Sequence, residues 1–261
     1  MRTAPAILVG LALPLAACGG SDSAVDTSAD TTSSPGASIA AAAAETLDAP
    51  TARVTYMVEH TRSDATWGIE AGERGKTLEG VVDFGAYRIA LAADQQKTIF
   101  DGPTVYFKDG YETDKRWKKY ELDGTSTSEV SLIRRADPIH LLQLIASLDD
   151  FGPVPEVVGD EQVRGRATTH YEASVENESL MRAFVPGVSY EEYVQSQAYP
   201  EPIETYTPLE AWVGDDGRLH RVVYDFDVFG TLLGERTIVE LYDFGADFEI
   251  ELPAPSATVE G

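Results

Sequence analysis

The sequence predicts an α+β domain, with one large antiparallel sheet and a few helices. Three observations carry this reading. Short runs of alternating apolar and polar residues recur from residue 53 onward. The gaps between them are too short for parallel crossovers, which need about a dozen residues or more. The helical signals are few and do not alternate with the strands. A sheet of this size, once curved, can wrap around the helices and leave a space between the layers.

The elements follow in order. "SIAAAAAETL" (38–47) reads as a helix with Ser38 as a candidate N-cap, stopped by Pro50. "RVTYMVEH" (53–60) alternates Val54, Tyr56 and Val58 against polar neighbours. "TLEGVVDF" (77–84) and "AYRIALA" (86–92) flank Gly85 as a hairpin. "KTIF" (97–100), the turn "DGP" and "TVYFKD" (104–109) make another, and "RWKKYEL" (116–122) follows. "DPIHLLQLIASL" (137–148) is a helix, with Asp137 as cap, Pro138 in the first turn and a broad apolar face. Strands return in "EVVGDEQVRGRATTHYEASVE" (156–176), where Thr169, Tyr171, Ala173 and Val175 share one face. Residues 178–199 read as irregular and partly helical, with "SYEE" (189–192) as a capping-box pattern. "LEAWVG", a turn at Asp216-Gly217, "RLHRVVYDFDVF" and "ERTIVELYDF" (235–244) complete a strand meander.

Charge excludes whole classes of function. Lys and Arg number 20 and Asp and Glu number 44, a net charge of −24. Such a surface repels nucleic acid and anionic headgroups, so nucleic-acid binding and a polybasic membrane face are excluded. The chain has one cysteine, Cys18, which excludes a disulfide framework and a cysteine metal site.

The surroundings of Cys18 are informative. Residues 3–17, "TAPAILVGLALPLAA", form an apolar run shorter than the roughly 20 residues of a membrane span. They fit the core of an export signal. "LAAC", Leu15 to Cys18, resembles the bacterial lipobox, which implies that Cys18 is acylated, palmitate being one such chain, and begins the mature protein. Each buried CH₂ contributes ~0.8 kcal/mol, so two or three acyl chains would make attachment effectively permanent. Residues 19–36, "GGSDSAVDTSADTTSSPG", are small and polar and read as a flexible tether with a mean reach of roughly 20–25 Å. The expected organisation is a signal peptide at 1–17, lipidated Cys18 with its tether to residue 36, and a single domain at 37–261.

Most catalytic motifs fail on inspection. "GERGKT" (72–77) lacks the first glycine of a P-loop, Glu70 standing in its place. His60, His140, His170 and His220 show no metal-pair spacing, and a nucleophile elbow is absent. His140 and His170 read as packed or hydrogen-bonded structural residues. "DFGA" occurs at 83–86 and 243–246, each copy reading as a strand end that turns at a glycine. The chain reads as a non-enzyme without metal or cofactor.

Several segments, in order, resemble the LppX/LprG-type lipoproteins of actinobacteria. They are "LAAC", "RWKKYEL", "DPIHLLQLI", "VVGDEQVRGRATTHYEASV", "LEAWVGDDGRLHRVVY" and "ELYDFGADFEIELP", covering most of residues 50–253. The resemblance implies a LolA-like half-barrel, a curved antiparallel sheet wrapped around helices. It also implies a lipid or acylated glycolipid (lipoglycan) ligand in an apolar cavity, for transport or presentation across the cell envelope. The chain would be held on the extracytoplasmic face of the cell membrane by Cys18. Residues 178–205 depart from the family, being longer, more acidic and richer in proline. The alternative on the same fold is a sensor or interaction module that regulates a membrane-protein partner. Candidate cavity residues are Tyr87, Ile89, Leu91, Val105, Phe107, Leu141, Leu144, Ile145 and Tyr171. Periodicity alone does not separate a cavity wall from a plain core.

Overall fold

A computed structural model of the chain describes residues 34–61, 72, 74–111, 116–122, 137–148, 151, 155–184, 206–225 and 235–261. Cys18, the expected export signal, the tether up to residue 33 and the "SYEE" pattern lie outside the described residues. Ser33–Gly261 cluster as one compact unit.

Helix α1 spans Pro35–Leu47, α2 Pro138–Ala146 and α3 Asn177–Phe184. The start of α1 corrects the sequence expectation. Its N-cap is Ser34, not Ser38, and the Ser34 Oγ accepts from the Ala37 amide at 3.3 Å. The reason is Pro35 at the first helical position, where its missing N–H costs nothing. Ser38 instead donates its hydroxyl back to the Ser34 carbonyl. Among the described residues, no helix is long and apolar enough to cross a membrane.

The strands are β1 (Thr51–His60), β2 (Arg74–Asp83), β3 (Arg88–Ala93), β4 (Gln96–Asp101), β5 (Thr104–Asp109) and β6 (Trp117–Glu121). After α2 come β7 (Glu156–Val163), β8 (Arg166–Glu176), β9 (Tyr206–Gly214), β10 (Leu219–Asp225), β11 (Glu235–Tyr242) and β12 (Thr258–Glu260). All twelve form one sheet in the order β12-β6-β5-β4-β3-β2-β1-β11-β10-β9-β8-β7. Every pairing is antiparallel except that of β12 with β6. The expected α+β fold with a large curved sheet around a few helices is the one observed, and its two edges are not joined.

Local chemistry explains the turns, and the hairpins expected at Gly85 and at Asp216-Gly217 both form. The β2–β3 turn does not rely on Gly85; the left-handed residue is Tyr87, at φ 52°. The Asp83 carboxylate accepts from the Ala86 amide at 2.8 Å and holds that turn. At Asp216-Gly217 only Gly217 is left-handed, and the Gly217 amide bonds back to Gly214 in a longer loop. The two-residue turn with both φ positive is Arg164-Gly165, between β7 and β8. Between β2 and β3 the backbones approach closely. A Cβ on Gly80 would stand 1.8 Å from the Ala90 carbonyl oxygen, so only glycine fits there.

The helices lie on one face of the sheet. Helix α1 packs on β8, β9 and β10, α2 packs on α1, and α3 packs on β8 and α2. Thr46 ties α1 to β10, accepting from the Leu219 amide at 2.8 Å while donating to the Ala42 carbonyl at 2.6 Å. The enclosed core joins Ile39 and Ala43 of α1 to Ile139, Leu142 and Ile145 of α2 and to Val54, Phe100, Leu209 and Val222 of the sheet. From Tyr242 the C-terminal segment leaves β11 and reaches β6 on the far side of β1–β5, where β12 pairs. Its exposed residues Asp243, Asp247, Glu249 and Glu251 alternate with half-buried Phe244, Phe248, Ile250 and Leu252.

Candidate functional site

The candidate site is the helix-facing side of the sheet. Partners across antiparallel strands present their side chains on the same face. One such row runs Ala52, Val82, Ile89, Phe100, Val105 and Tyr120 across β1 to β6. The next runs Val54, Gly80, Leu91, Thr98, Phe107 and Lys118. Four of the candidate residues therefore stand in two adjacent rows: Ile89 with Val105, and Leu91 with Phe107.

Burial divides the nine candidates. Ile89, Leu91, Val105, Leu141 and Ile145 are sealed within the core. Tyr87, Leu144 and Tyr171 are half-buried against it, and Phe107 is half-buried on β5. Tyr171 sits on β8, across the helical layer from the β3–β5 rows, so the set spans both halves of the sheet rather than one patch.

Tyr87 is also a tether. Its hydroxyl donates to Asp137 Oδ2 at 3.2 Å, while Asp137 Oδ1 accepts from the His140 amide at 3.1 Å. The β2–β3 turn is thereby fastened to the N-terminus of α2. Asp137 is only 3% exposed. Burial pushes its carboxyl above the usual range, against the His140 amide and the Tyr87 hydroxyl, which favour the charged form.

The opposite face carries a polar chain that sequence reasoning missed. The ring nitrogens of His170 on β8 lie 3.1 Å from Glu161 and 3.1 Å from Glu210. A neutral imidazole donates to only one of these; an imidazolium donates to both. The His170 ring stacks on Trp212 with centroids 4.1 Å apart, and the Trp212 indole N–H donates to Glu161 at 2.8 Å. That indole bond, with His170 behind it, holds the Glu161 carboxyl below its ordinary range.

Arg221 lies over the Trp212 ring and donates twice to Glu240 Oε1, at 3.0 and 2.6 Å. Arg164, from the β7–β8 turn, donates to Glu240 Oε2 at 2.7 Å and to Thr55 on β1 at 2.9 Å. The hairpin tip thus folds over the strands as far as β1, burying Val163 against Trp212 and Val223. No local pattern announces this arrangement, because its members come from six strands and a turn. It ties β7–β11 and β1 to one another on this face. Among the described residues, no group of three or more His, Cys, Asp or Glu is placed to hold a metal ion.

No protein-family model and no curated protein matches this sequence. Solved structures do match. The lipoprotein LppX of Mycobacterium tuberculosis superposes with a TM-score of 0.52 at 13% identity, over 83% of this chain and 98% of that one. LprF from Mycobacterium bovis gives a TM-score of 0.48 at 13% identity, over 84% of this chain and 97% of that one. A LolA-superfamily protein from Nitrosomonas europaea gives 0.32 at 8% identity, over 85% and 96%. At these identities the likeness is one of fold: the chain shares the architecture of LppX.

Proposed function

We propose that this chain is a lipid-binding lipoprotein without catalytic activity, held at the cell envelope through acylated Cys18. The ligand is a lipid or acylated glycolipid, taken up between the helices and the helix-facing side of the sheet for transport or presentation. The observation that carries the reading is the apolar row Ala52, Val82, Ile89, Phe100, Val105 and Tyr120 on β1–β6. It runs past the strands on which α1 and α3 pack and ends in half-buried Tyr120, with half-buried Phe107 in the row beside it.

Tyr87, Leu144, Phe107 and Tyr171 are the candidate side chains most available to a ligand, because they stay partly exposed. The sealed residues Ile89, Leu91, Val105, Leu141 and Ile145 would form the floor beneath it. An acyl chain suits such a surface, since each CH₂ removed from water contributes ~0.8 kcal/mol without a charged partner.

The test is native mass spectrometry with lipid extraction on a Cys18→Ala chain secreted from a lipid-rich actinobacterial host. Removing the anchor removes the protein's own acyl chains from the spectrum. A stoichiometric co-purifying lipid supports the carrier reading and identifies its class. A protein recovered empty would replace it with an interaction module on the same fold.

A further inference from the structure

The sheet ends in two edge strands of different length. At one edge stands the three-residue β12, paired with β6, where the Gly261 amide bonds to the Lys119 carbonyl at 2.9 Å. At the other stands the eight-residue β7, which among the described residues pairs only with β8. In an antiparallel pair, alternate N–H and C=O groups point away from the partner. Among the described residues, no other backbone group bonds to those of Glu156–Gln162. An open row of donors and acceptors is a template for another strand.

The side chains of this edge give it chemical character. Glu156, Val157, Val158, Asp160, Glu161 and Gln162 are all exposed. Val157 is 55% and Val158 50% exposed, two of the four large apolar residues that stand out at the surface among the described residues. The register slips between Val157 and Gly159, where φ is 152°, and this bulge leaves both valines unpacked. The strand has three acidic residues and no basic one.

We propose that β7 is a docking edge that receives an extended, basic segment of a partner protein as an added strand. Backbone pairing supplies the contact, Val157 and Val158 supply apolar anchoring, and Glu156 and Asp160 select lysine or arginine side chains. A second copy of this chain is disfavoured as the occupant. Two β7 edges would set acid against acid, and like charges directly opposed destabilise a strand pair. The inference is independent of the lipid reading. A protein empty of lipid leaves it intact, and its failure leaves the lipid reading untouched.

The test uses the full chain and short fluorescent peptides, read by anisotropy at low salt and by hydrogen exchange. The probe alternates Lys and Val; one control replaces its central Val with Pro, and another alternates Glu and Val. The Lys/Val peptide is expected to bind, to slow exchange at residues 156–163 and to weaken with salt. The proline control and the Asp160→Lys protein should each bind at least about tenfold more weakly. Glu156→Lys serves as the second variant if Asp160→Lys does not keep its circular dichroism spectrum. Equal binding of the proline peptide would reduce the effect to bulk charge attraction and overturn the proposal. So would protection away from β7, absence of binding, or a β7-mediated dimer of this chain.

Discussion

The half of the sheet formed by β8–β11 and the half formed by β3–β6 are held together in different ways. Strands β8–β11 run seven to eleven residues and carry α1 and α3 on one face. On the other face the chain from Glu161 through His170, Trp212, Arg221 and Glu240 to Arg164 clamps them. Strands β3–β6 are five or six residues long. Their outer ion pairs, Arg88–Asp101 and Lys119–Glu121, reach no farther than the next strand. Long-range clamping belongs to the first half, and the half-buried aromatics Phe107 and Tyr120 belong to the second. More side-chain contacts between strands on one side than on the other would suit the proposed lipid uptake.

The largest expected effect tests whether the two halves share one core. Ile89→Ala removes a fully buried side chain of the looser half and should cost about 2–5 kcal/mol in urea denaturation. Loss of exchange protection in β8–β11 as well would show a single cooperative core; loss confined to β3–β6 would sharpen the division. Glu240→Ala breaks the clamp itself. It leaves Arg164 and Arg221 without their shared carboxylate and should cost about 1.5–3 kcal/mol. Exchange should quicken at the β7–β8 tip and stay unchanged in β3–β6. Fast exchange in both halves would refute the clamp's local role.

Gly80→Ala probes the junction between the halves. Its Cβ meets the Ala90 carbonyl, so β2 and β3 must separate, at about 1–3 kcal/mol, measured as a lowered Tm.

The smallest effect is a pH signature. Burial raises Asp137, so the native state holds its proton more tightly than the unfolded chain does. Asp137 therefore lowers stability above its raised native pKa, and the loss fades as pH falls to the unfolded value of about 4. Asp137→Asn keeps the helix cap and should remove that slope. Stability curves for both proteins across this acid range check it, and parallel curves would mean that the carboxyl is already charged at no cost.

Much of this architecture was legible in the chain because its signals are local. Alternation at Val54, Tyr56 and Val58 reads as a strand, and Asp137-Pro138 reads as a helix start. Both elements form, although Thr55 is buried as well, because Arg164 covers the other face of β1 there. Helix α1 starts at Ser34-Pro35 rather than at Ser38, because Pro35 favours the first helical position. The site was legible only as a list. Ile89 and Phe107 carry the same apolar signal, yet one is sealed and the other half-open, because burial depends on what the helices reach.

Local chemistry by itself determined the strand and helix segments, most turn positions, the acidic surface and the character of the Cys18 region. These depend on neighbours within a few residues, where backbone preference and side-chain period act directly. Tertiary structure alone decided that Arg164 meets Glu240, that Tyr87 holds the α2 cap, that β12 pairs with β6 and that β7 stands at the other edge. Those contacts join residues from 50 to 141 positions apart through the order of strands in the sheet, and no short-range pattern encodes which strand lies beside which.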